Sequence, residues 1–240
     1  MKRRREQQVY TISKRRRGAA PTAFPRRRSR RNVRTGGFLG IEKKFLDTEL
    51  TASALATTWA ALNPVGVDSL SIPAQGDGES NRDGRTYAIE SVHVRGHFEL
   101  AAAEGAGVPA SMIECRVIVY WDTQTNGAEA TATDIMDAGG TTDILAFRNL
   151  QNSKRFKVLY DKVCLLKPHA LNEGAVNSFA NGAVIQRFEF NKQFKKPIIV
   201  NCTGTTSSVA SVSDNNIGIA AIGTSSNATI AYQARVRFVG

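Results

Sequence analysis

The chain reads as an all-β protein: a single eight-stranded antiparallel jelly-roll sandwich preceded by a disordered basic arm. Three observations predict this. Eight or nine runs alternate apolar and polar residues with the period of a half-buried strand. Turn-rich spacers separate those runs, and none carries a long helical period. The positive charge is confined to one end of the chain. Two units follow, an Arg-rich nucleic-acid-binding arm over residues 1–37 and a β domain over 38–240.

The arm contains Lys2, Arg3, Arg4, Arg5, Lys14, Arg15, Arg16, Arg17, Arg26, Arg27, Arg28, Arg30, Arg31 and Arg34, with Glu6 its one acid. It therefore carries +13, whereas the whole chain carries +11. The remaining residues hold 18 basic and 20 acidic side chains, a net −2. Such a segment has too little apolar content and too much self-repulsion to fold alone. Fully extended, it reaches on the order of 110–120 Å. Pro21, Pro25 and Gly18 argue against one continuous helix. Gly36-Gly37 supplies a hinge to the body. The arm's scattered apolar residues form no membrane anchor, no run of 18 apolar residues exists, and no apolar signal region follows the basic start. Membrane insertion is not expected.

In the body, Phe45–Leu50 and Thr57–Leu62 are short strand candidates. A polar turn-rich loop runs from Gln75 to Gly84. Tyr87–Leu100 then sets Val92, Val94, Phe98 and Leu100 against His93, Arg95, His97 and Glu99. In Ile113–Trp121 the second half is apolar on both faces, which marks a central strand covered on both sides. Residues 127–140 read as a surface loop with one helical turn at 134–136, and Thr142–Phe147 as a second short helix or turn. Arg155–Leu166 places Phe156, Val158 and Tyr160 on one face, and Pro168 ends it. Val184–Phe194 alternates Val184, Phe188, Phe190 and Phe194 with Arg187, Glu189 and Asn191. Ile198–Cys202, Ile217–Ile222 and Thr229–Val239 complete the set. The last points Tyr232, Ala234, Val236 and Phe238 one way and Gln233, Arg235 and Arg237 the other.

Groups suited to catalysis are sparse, so no catalytic residue, metal ligand or cofactor is assigned. His93 and His97 share a strand face but stand roughly 13 Å apart, too far to grip one ion without a bend. Glu79, Asn81, Asp83, Gly84 and Glu90 approximate a calcium-loop spacing. The first acid is the wrong type and no helices flank it, so a tight turn before a strand explains these residues better. Cys115, Cys164 and Cys202 are odd in number and sit in apolar runs, the pattern of buried free thiols. Arg235, Arg237 and Lys157 project from strands, where phosphate contacts, subunit salt bridges and solvent are all open to them. The arm is the strong signal. Arginine forks pair phosphates bidentately and stay charged at any relevant pH, without reading base sequence.

Several runs resemble a known family. Gln75-Gly76-Asp77 leads through Asn81-Arg82-Asp83-Gly84 into Ile89-Glu90-Ser91-Val92-His93-Val94-Arg95-Gly96. With Arg116–Asp122 and Arg155–Asp161, this is similar to capsid proteins of small circular Rep-encoding single-stranded DNA viruses. It is similar too to the single jelly roll of the satellite tobacco necrosis virus coat. The resemblance implies a T=1 icosahedral shell of 60 identical subunits, with the arms inside on a single-stranded, circular DNA genome. It also implies a virion protein that reaches the host nucleus through import receptors. Sixty arms would bring about 780 positive charges to that genome. The other reading is a cellular β-sandwich nucleic-acid-binding module with a basic tail. Such a module needs an exposed aromatic stacking platform, whereas most aromatics here alternate onto core-like faces.

Overall fold

The alternation along the chain resolves into two antiparallel four-stranded sheets that share one apolar core. The structure, a computed structural model, describes residues 42–66, 68–100, 112–137, 142–167 and 184–240. These all belong to the unit Ile41–Gly240. The arm, the Gly36-Gly37 hinge and Pro168 lie outside the described residues. In chain order the elements are β1 (Lys43–Ala54), β2 (Ala60–Ala61), β3 (Thr86–Leu100), β4 (Ile113–Asp122) and the single-turn α1 (Ala132–Ile135). They continue with β5 (Phe156–Leu166), β6 (Val184–Asn201), β7 (Asn216–Gly223) and β8 (Ala228–Val239). The first sheet runs β1-β8-β3-β6 and the second β2-β7-β4-β5.

The inner faces fill as period two requires. Tyr232, Ala234, Val236 and Phe238 of β8 are buried, while Gln233, Arg235 and Arg237 are exposed. On β3 the buried set changes parity, from Tyr87 and Ile89 to Val92, Val94 and Phe98. A bulge causes the change: Ile89 pairs with Ile198 and Ser91 with Gln193, so Phe194–Pro197 of β6 bows out opposite one residue. Two strands expected over 184–194 and 198–202 are therefore one strand. Pro197 does not break it because β6 is an edge strand. The phenols of Tyr87 and Tyr232 donate to the carbonyls of Ser71 and Leu62, each at 2.6 Å. Both rings can then be buried without stranding a hydroxyl.

Other boundaries differ for comparable reasons. β1 is twice the expected length, and a register shift against β8 between Leu50 and Ser53 blurs its alternation. Thr57–Leu62 shrinks to the two-residue β2, with Trp59 and Leu62 buried on either side. In β5 a register shift at Val119/Tyr120 separates the expected trio. Phe156 and Val158 lie on the outer face of the second sheet, but Tyr160 joins the core between the sheets.

β4 is apolar on both faces, as expected. Val117 and Val119 enter the inter-sheet core, while Ile118 and Tyr120 enter a second cluster on the outer face. The segment over 127–137 is therefore more than a surface loop. Ile135 and Met136 are buried in that second cluster beside Ile144, Ala146 and Trp59.

Within the second sheet Gly218 lies opposite Tyr120, whose ring covers it. A Cβ there would stand 2.4 Å from the Tyr120 ring tip, and that ring is 2 % exposed, with no space to retreat into. Gly218→Ala is expected to cost about 1–3 kcal/mol through overpacking. A lower urea midpoint with an unchanged m-value would show it.

Candidate nucleic-acid interface

The fourteen basic residues assigned from the sequence, Lys2 through Arg34, lie outside the described residues. What the described body shows is how its own charges are disposed. On the outer face of the first sheet they are largely compensated. Arg235 grips both Asp47 oxygens with the Nε–Nη2 edge of its guanidinium, at 2.6 and 2.5 Å, and covers the Phe45 ring at 5.1 Å. Glu189 accepts from Arg95 at 3.1 Å and lies 2.8 Å from His93 Nε2. Hydrogen bonds from His93 and Arg95 hold the Glu189 carboxyl below its ordinary range. His97 lies 3.9 Å from Glu99. Arg235 is thus engaged by a salt bridge within its own chain.

The loop with calcium-like spacing is tied down by cations. The Lys44 ammonium meets Asp83, and Lys43 meets Glu90 at 3.1 Å. Inside the loop Arg82 is fully buried. Its guanidinium donates to the carbonyls of Pro73 at 3.2 Å, Gly84 and Gly204, and no ion pair among the described residues includes it. A charge out of water needs several acceptors, and the turn supplies them as backbone carbonyls. Arg82 therefore welds residues 73–84 to the segment at 204. Among the described residues no three potential ligands gather as a metal centre would require. The three cysteines are buried and unbridged. Burial pushes the Cys115 thiol up to about 12 and raises Cys164 and Cys202.

The outer face of the second sheet carries a device with no clear sequence signal beyond two charges inside apolar strands. Arg116, 8 % exposed, forks onto Asp161 with two bonds of 2.8 Å. Its remaining edge donates to the carbonyls of Ile144 at 2.7 Å and Ala146 at 2.9 Å. It also lies 5.5 Å from the centre of the Trp59 ring. Trp59 Nε1 donates to the Asp143 carbonyl at 3.3 Å, so sheet and cover are joined twice. Ile144 and Ala146 turn inward. Leu145, Phe147 and Leu150 are left 67, 85 and 80 % exposed on a segment that cannot easily retract. Asp122, buried in β4, is held in turn by Arg155 at 2.9 and 3.0 Å.

No protein-family model matches the chain, and no curated protein matches it.

Arg116→Ala would leave Asp161 with Arg148 alone and strand two carbonyls, and is expected to cost about 3 kcal/mol. Burial raises the Asp161 pKa, but hydrogen bonds from Arg116 and Arg148 outweigh it, and the net shift is below the ordinary 3.8. A depressed carboxyl stabilises the fold above its unfolded pKa and loses that contribution as pH falls through the folded value. The stability gap between the wild type and Asp161→Asn should thus stay constant at neutral pH. It should close only in acid below the ordinary carboxylate range. Chemical denaturation across a pH series measures it.

Proposed function

We propose that this chain is a viral coat subunit that self-assembles into a small icosahedral shell and packages a single-stranded genome through its basic arm. The observation that carries the reading is the charge division, +13 in the first thirty-four residues and −2 in the rest. A nearly neutral body lets copies approach one another, while the arms repel until a polyanion neutralises them. The strand orders β1-β8-β3-β6 and β2-β7-β4-β5 support a jelly roll, because each sheet interleaves early strands with late ones. Leu145, Phe147 and Leu150 support self-association. Three large apolar side chains exposed on a braced segment would lose water contact against a neighbouring copy.

The T=1 shell of 60 subunits, the circular single-stranded DNA genome and passage through the nucleus follow from the family resemblance and belong to the same proposal. The clusters at 14–17 and 26–31 would serve import receptors before assembly and the genome after it.

Size-exclusion chromatography with electron microscopy tests the proposal. A particle of roughly 60 copies is expected. A monomer or small oligomer that binds oligonucleotide would replace the coat reading with the cellular binding module. Deleting residues 1–34 is expected to give shells without nucleic acid, read by the ratio of absorbance at 260 and 280 nm. Phe147→Asp combined with Leu150→Asp is expected to stop assembly while leaving the subunit's Tm within a few degrees, because both side chains are solvent-exposed in the isolated subunit.

A further inference from the structure

The two sheets meet along one side at their edge strands, β5 and β6. Lys162 Nζ crosses there to the Arg187 carbonyl at 2.8 Å, and Tyr160 packs on Phe190 with ring centres 5.5 Å apart. Trp121 of β4 meets Phe194 of β6 at 6.4 Å. Residues 154–167 and 184–201 hold nine of the eighteen cations that follow the arm, against two acids.

Both acids are taken on other faces. Asp161 is bound by Arg116 and Arg148, and Glu189 faces His93 and Arg95. Lys157, Lys162 and Lys192 have no ion pair among the described residues. Register shows where they point. Their partners on the neighbouring strands are Trp121, Val117 and Val92, all packed in or against the inter-sheet core. The three lysines therefore project into the mouth between the sheets, interleaved with Trp121, Tyr160 and Phe194. The Lys157 ammonium lies over the Trp121 ring at 4.4 Å, holding a π-face where a carboxylate would be expected.

We propose that this seam is a second, body-borne contact for single-stranded nucleic acid. Lys157, Lys162 and Lys192 bind successive phosphates, and a base stacks at Trp121 as the Lys157 ammonium swings from the ring to the backbone. Lysines alone would suit any polyanion. Rings interleaved with them suit a strand that offers a flat base with each phosphate, and a sulfated polysaccharide offers none. The inference rests on the nucleic-acid reading above and adds a site outside the arm.

The test uses the full chain and its tryptophan emission, with Trp121→Phe to isolate the contribution of Trp121. Three probes are titrated: oligothymidylate, an abasic phosphodiester strand of equal length, and dextran sulfate. Oligothymidylate is expected to quench the Trp121 component, while the other two bind without quenching it. The triple variant Lys157→Ala, Lys162→Ala, Lys192→Ala should lose the quench. It should also lower the slope of log K against log salt by about 2, at roughly 0.7 per phosphate contact on a single strand. Oligonucleotide binding with Trp121 emission and salt slope unchanged by the triple variant would overturn the seam and leave the arm as the genome contact. Equal quenching by dextran sulfate would overturn the assignment to nucleic acid. No oligonucleotide binding by the wild-type chain would overturn the packaging proposal and this inference together.

Discussion

A guanidinium removed from water must find acceptors for its N–H groups, and Arg116 finds them on two elements at once. Asp161 belongs to β5, while the carbonyls of Ile144 and Ala146 belong to the segment that covers the outer face of the second sheet. That face has to be covered, because Ile118, Tyr120 and Ile222 point outward from β4 and β7. Among its described residues the cover contains a single turn of helix, and such a turn has little stability of its own. Its position follows from packing at Ile135, Met136 and Ile144 and from the acceptors it offers Arg116. The outward tilt of Leu145, Phe147 and Leu150 depends on the same bonds. Arg82 works by the same physics at the other loop. Three carbonyls surround one buried charge, and two distant segments are held together as a result.

The faces of the body divide its charges. The outer face of the first sheet pairs many of its ions internally, through Arg235 with Asp47 and Glu189 with Arg95 and His93. The outer face of the second sheet is largely apolar beneath its cover, with the ionic knot at Arg116 and Asp161. The seam keeps beside its rings lysines that have no ion pair among the described residues. Exposed pairs contribute little to stability. The pairing on the first sheet matters more for what it prevents, since a compensated face offers a polyanion little purchase. In the proposed reading, attraction for a polyanion would then be concentrated at the seam and at the arm.

Much of this architecture was legible along the chain. Strands over 86–100, 113–122 and 228–239 announce themselves because one face must be apolar and the other need not be. β4 announces its central place through apolar residues at 117–121 on both faces. Legibility fails wherever the period slips. The bulges near Ile89, Leu50 and Tyr120 each shift parity by a step, which changed the buried set on β3, blurred β1 and misplaced Tyr160. Lys195, Lys196 and Pro197 separate two apolar runs that belong to one strand, and nothing local reveals that this strand lies at an edge, where a proline is tolerated. Of the candidate interface, the arm was visible at once, since charge clustering is a property of composition.

What the sequence by itself determined is the set of quantities that depend on near neighbours: the all-β class, the inner and outer faces of most strands, and the separation of a +13 segment from a −2 body. Only the tertiary structure decided which charges are spent. Arg116 and Lys157 look alike in the chain, each a cation inside an apolar strand. One meets Asp161 and two carbonyls and is buried, while the other meets a tryptophan at an open edge. The difference arises from strand order and register, which join residues 28 to 45 positions apart in Arg116's case. Whether a cation is neutralised or left available depends on contacts of that range, and no local pattern encodes them.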